Sequence, residues 1–77
     1  MNIYLVEQAE NRGYDTYDSF VCYAEDEQQA SEMTPYGSWE EAQHWWCSSP
    51  DLALVTLLGL AEDYNEAGVI LASFNAG

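Results

Sequence analysis

His44 and Cys47 stand three positions apart. On a helix that spacing brings two side chains to one face, and an imidazole beside a thiol is how a cysteine becomes a nucleophile. No third group orients this histidine and no pocket is visible, so the pair reads as a partly exposed helix edge rather than a catalytic pair. Closely spaced carboxylates are the tools of glycosidases and other acid–base catalysts. Such use requires a dry pocket that raises one pKa. A chain of 77 residues buries only about 60% of its unfolded surface and has little room to enclose one. Asp15-x-x-Asp18 lacks the D-x-[DN]-x-[DN]-G run of a calcium loop. Cys22, His44 and Cys47 offer three N or S ligands at most, where a structural zinc site takes four. These residue types point away from an enzyme, a metal or another cofactor.

The chemistry that remains is charge. Fourteen acidic side chains face one basic residue, Arg12, for a formal net charge of −13. Self-repulsion of this size opposes compaction, and the chain has almost nothing with which to neutralise phosphates. Direct binding to DNA, RNA or an anionic membrane is therefore excluded. The large cationic surfaces that such a field attracts are the grooves of nucleic-acid-binding proteins. Disorder would require low hydrophobicity as well, yet 48% of residues are apolar and 14% aromatic. A single folded domain over residues 1–77 is expected.

Residues Ile3 to Val6 (IYLV) read as a first strand, Gln8 to Asp18 as a polar loop around Gly13, and Ser19 to Ala24 (SFVCYA) as a second strand. Asp26 has the character of an N-cap for a helix running to Met33, with Glu27 complementing the helix dipole. Thr34-Pro35-Tyr36-Gly37 ends that helix. Ser38 and Glu41 have capping-box spacing, which predicts a short second helix over Trp39 to Trp46. Leu52 to Leu60 is apolar on both faces and reads as a central strand. Glu62 to Gly68 reads as a turn and Val69 to Phe74 as a last strand. Two apolar runs joined by a short polar segment predict an antiparallel hairpin. The expected fold is α+β, with an antiparallel sheet of about four strands packed by one or two short helices in the order β-β-α-(α)-β-β.

The N-terminus has neither a basic region nor a long apolar stretch, so no signal peptide is expected. The run LALVTLLGLA is too short and too interrupted to span a bilayer. A cytoplasmic location follows, with reduced thiols and Cys22 as a small core residue. Trp45 and Trp46 cannot both face inward on one helix, so one is expected to pack on the sheet and the other at the surface. The second face of the Leu52–Leu60 strand needs a cover, from the Trp39–Trp46 segment or from another copy of the chain in a homodimer.

The segments IYLVEQ, YDTYDSFVCYAEDEQQA, WWCSSPDLALVTLLG and GVILASFNAG together resemble a family of small acidic proteins encoded by phages and prophages. The resemblance covers most of the chain and carries no catalytic signature. It implies a cytoplasmic accessory protein that acts on a bacterial host. Several small acidic phage proteins are anti-CRISPR proteins or other inhibitors that imitate DNA. The resemblance assigns no binding residues, which have to be read from the chain's own chemistry.

The acids are clustered. Asp15 and Asp18 flank Tyr17; Glu25, Asp26, Glu27 and Glu32 edge the first helix; Glu40 and Glu41 follow Trp39; Glu62, Asp63 and Glu66 fill the turn. Neighbours on one helix face lie about 5–6 Å apart and alternate strand residues about 6.6 Å apart, comparable to successive phosphates along a duplex strand. Carboxylates so placed can occupy Lys and Arg groups built for phosphate. The expected partner is a basic nucleic-acid-binding protein or complex, such as a CRISPR effector. The expected binding set is Asp15, Tyr17, Asp18, Glu25, Asp26, Glu27, Glu32, Trp39, Glu40 and Glu41. The alternatives are a solvated face that serves solubility, a cation site, or an interaction module that recognises its partner through Trp39, Trp45, Tyr17 or Tyr36.

Overall fold

The computed structural model describes residues 1–61 and 66–75. Strand β1 (Asn2–Glu7) and strand β2 (Thr16–Ala24) pair antiparallel, with Asn2 opposite Ala24 and Glu7 opposite Ser19. Helix α1 (Glu27–Ser31) follows, then helix α2 (Trp39–Ala42) and a 3₁₀ turn over Pro50–Leu52. Strands β3 (Leu54–Leu60) and β4 (Gly68–Asn75) complete a four-stranded, fully antiparallel sheet in the order β3-β1-β2-β4. The α+β architecture and element order are those the sequence predicts.

The expected hairpin between the last two strands does not form. β3 pairs with β1 and β4 with β2, so the two lie at opposite edges of the sheet. Their order is physically reasonable. β1 and β2, once paired, each have one side of unmet backbone groups, and two edge strands satisfy both sides. Seven residues separate Leu60 from Gly68, a reach of about 23 Å, whereas three strand spacings need only about 14 Å. The same pairing corrects β3 from a central strand to an edge. The expected turn at Glu62 to Gly68 falls partly on residues 62–65, outside the described residues.

Alternation sorts the interior strands. Tyr4, Val6, Phe20, Cys22 and Ala24 point to one face and are buried with Ala30, Ala42, Trp46 and Cys47 in a single core. Phe20 and Trp46 meet at its centre, with ring centroids 5.3 Å apart. α1 packs across β1, β2 and β3 on this face. Both helices are shorter than expected. α1 stops at Ser31 because Ala30 is its only buried residue. α2 stops at Ala42 because the chain must turn there to bury Trp46 and Cys47.

The two tryptophans divide as expected. Trp46 is fully buried; Trp45 is half-buried, its indole N–H donating to the Tyr36 carbonyl at 3.0 Å. Since Trp46 joins the same core as α1, the Trp39–Trp46 segment does not cover the opposite face of the sheet. Both cysteines are buried and free. No helix among the described residues is long and apolar enough to cross a membrane.

Candidate functional site

Each acidic residue within the described segments is exposed, so their grouping depends on which elements carry them. Asp26 occupies the N-cap of α1 and accepts a hydrogen bond from the Gln29 N–H at 2.8 Å. Glu25 precedes it, its own N–H held by the Gln29 side-chain carbonyl at 2.6 Å. Glu27 lies in the first turn and Glu32 at the C-cap. The Trp39 indole donates to the Glu32 carbonyl at 2.7 Å, which ties the start of α2 to the end of α1. Ser38 caps α2 in the expected box, donating to the Glu41 carboxylate at 3.2 Å and accepting from its N–H at 3.4 Å. Glu40 and Glu41 follow in that first turn. The two helices thus carry Glu25, Asp26, Glu27, Glu32, Glu40 and Glu41, with the half-buried ring of Trp39 beside Glu32.

Asp15 and Asp18 are not part of that group. Asp15 precedes β2 and Asp18 is its third residue, so an extended strand puts them about 33 and 23 Å from Glu25. Asp15 takes a left-handed backbone conformation (φ 61°) at the end of the preceding loop. Asp18 is the extra residue of a bulge opposite β4 and lines a cleft with Glu7 and Arg12. Arg12, the single basic side chain of the sequence, lines this cleft and a second one with Leu52 and Leu54. The bulge also carries Tyr17 to the helical side, where it packs on the core and against Phe74, with ring centroids 4.8 Å apart.

Three acids outside the expected set have definite places. Asp51 faces Glu27 across a groove walled by Ala53, Leu54 and Val55, which extends the helical cluster. Its position was signalled by Ser49-Pro50-Asp51, an N-cap followed by proline at the first helical position. Glu10 tethers the first loop, accepting from the Ser48 N–H at 2.8 Å and the Ser48 hydroxyl at 3.2 Å. Glu7 lines the Arg12 cleft. The loop is further held by buried Gln8, whose amide donates to the carbonyls of Asn11 and Tyr17 at 2.6 and 2.8 Å. Tyr36, 66% exposed, leans on Trp45 with ring centroids 5.9 Å apart.

His44 and Cys47 do not assemble as a pair. α2 ends before either residue, His44 is exposed, and Cys47 is buried with its thiol donating to the Ser49 carbonyl at 3.4 Å. Burial raises the Cys47 pKa and pushes that of Cys22 to about 11. Both thiols stay protonated at neutral pH, unlike activated cysteines. Among the described residues no three His, Cys, Asp or Glu side chains converge as a metal set. No family model, curated protein or solved structure matches the chain.

Proposed function

We propose that the protein is a phage-derived inhibitor that binds a basic nucleic-acid-binding host protein in the bacterial cytoplasm, occupying its groove with carboxylates in place of DNA phosphates. A CRISPR effector complex is the partner this reading favours. The observation that carries it is the acidic surface of the helical layer. There Glu25, Asp26, Glu27, Glu32, Glu40, Glu41 and Asp51 are exposed, and the whole sequence has one basic side chain, Arg12, to set against them. Solubility alone calls for charge of both signs, interspersed; a one-signed face steers and orients a cationic partner. The binding set is thereby narrowed to the helical acids with Trp39, and Asp15, Tyr17 and Asp18 become its periphery.

The test is competition. A partner isolated from a bacterial host by pull-down should lose its DNA in a gel-shift titration with this protein, and the inhibition should weaken steeply with salt. Reversing Glu40 and Glu41 to Lys should weaken binding by about 2 kcal/mol or more if they meet cations in a desolvated groove. The same change at Asp15 and Asp18 should cost less. Simultaneous binding of DNA and inhibitor would sink the mimicry. Tyr36, exposed beside α2, supports a second reading in which aromatic contacts recognise the partner; shallow salt dependence with a large loss for Tyr36→Ala would favour it.

A further inference from the structure

Direct pairing in an antiparallel sheet places partners on one face, so the registers define the face opposite the helices. Its middle row runs Thr56, Leu5, Val21, Leu71 across all four strands, and the next row runs Gly59, Ile3, Tyr23, Gly68. The third row, Leu54, Glu7, Ser19, Ser73, holds the single carboxylate that these pairings place on this face, at its border. An antiparallel sheet packed on one side normally presents polar residues on the other. Among the described residues, no acid stands at the centre of that surface. Leu54 and Leu71 are 64% and 68% exposed.

We propose that this face is a homodimer interface, in which two copies pack their sheets as an aligned sandwich about a two-fold axis. Charge selects the occupant. A basic partner finds a single carboxylate here, Glu7 at the border, whereas a second copy presents the same surface with an uncharged centre. Face-to-face packing also directs the two acidic helical layers outward. The sheets lie about 10 Å apart and each helical layer lies beyond its own sheet, so the helical acids of the two copies are separated by more than the ~8 Å screening length of physiological salt, and Glu7 stands at the border of the packed face.

Area agrees with this choice. Four strands by six paired residues cover about 400 Å² of plane, whose apolar part is Ile3, Leu5, Val21, Tyr23, Leu54 and Leu71. Side-chain relief raises the accessible area toward the ~800 Å² per partner of a standard interface. The glycines add an independent sign of close approach. At Gly59 and Gly68 an added Cβ would meet nothing within 4 Å, and neither has a positive φ. Neither the backbone nor the packing of one chain requires glycine there, and both flank the Ile3–Tyr23 pair as notches for a partner's side chains.

Sedimentation velocity of the full chain from 1 to 200 µM, in 0.15 and 0.5 M NaCl, tests the proposal. The expected result is a monomer–dimer equilibrium in the micromolar range, tighter at high salt because screening reduces the repulsion between copies. Thr56→Glu and Leu71→Glu, at exposed positions of the middle row, should each weaken dimerisation at least tenfold with circular dichroism unchanged. Gly68→Val should weaken it without a charge and serves if either acidic variant unfolds. A chain that stays monomeric at 200 µM in 0.5 M NaCl overturns the proposal. So does a dimer indifferent to all three folded variants, which would place the contact on the free edges of β3 and β4.

Discussion

Trp46 sits at the centre of the core and carries its one visible flaw. The ring is fully buried against Phe20, yet its indole N–H has no hydrogen-bond partner among the described residues. An unpaired buried donor costs about 1–3 kcal/mol, so the ring's volume, not its polarity, earns the position. Trp46→Phe, which removes the unpaired donor together with part of the ring volume, should therefore lose clearly less stability than Trp46→Ala, which should lose about 3–5 kcal/mol, as read by urea unfolding. Near-equal losses would show that the N–H has a role. Cys22 sets an alkaline limit. Its thiol titrates near 11 in the fold against an ordinary 9.0, because burial disfavours the thiolate. A pKa raised by folding gives stability that is complete below about pH 9 and is lost as pH climbs toward 11. The melting temperature should fall through that window, and less steeply in Cys22→Ala.

The two helices have five and four residues, too few to persist by propensity, so caps and single buried alanines hold them. Asp26 is both a cap and a candidate contact, and one substitution separates those roles. Asp26→Asn keeps a capping acceptor and removes the charge, so the fold should stay within a few tenths of a kcal/mol; Asp26→Ala should cost about 1 kcal/mol. Thermal melts compare them, and equal melting of both variants with the native chain would mean that the cap contributes nothing. Caps were also the most legible local features in the sequence. Asp26 and Ser38 are where side-chain chemistry alone fixes a helix start. The helix ends were not legible, because they depend on when the chain must turn to bury Trp46 and Cys47. The hairpin expectation failed for a related reason. Two apolar runs separated by seven residues fit either a hairpin or two edges, and the choice rests with the open sides of β1 and β2.

At the scale of the molecule, the acids that sequence order joins are separated by the length of β2. Acids that follow one another along the chain from Asp15 to Glu32 fall at the two ends of β2, Asp15 and Asp18 toward its start and the remainder beyond its end. Asp51, remote in sequence, joins Glu27 across the groove instead. Distances of this kind come from pairing, which no local pattern encodes. The surplus of exposed carboxylates also predicts a response to ions. Repulsion is stronger in the folded chain than in the expanded one, so moderate NaCl should raise the melting temperature. An unchanged or lower melting temperature would mean that the acids are well dispersed in the native state.

The strand order also has a consequence in time. The two interior strands come from the first 24 residues, and both edges come from residues 54–75. Two of the three strand pairings must wait for partners some fifty positions downstream, an arrangement that slows folding. During synthesis, at about 5–20 residues per second, β1 and β2 stand for seconds with bare sides on which a neighbouring nascent chain could template. All the acids except Glu62, Asp63 and Glu66 have been made before β3 begins. Mutual repulsion thus guards the unfinished sheet against its own kind until the last two strands close it.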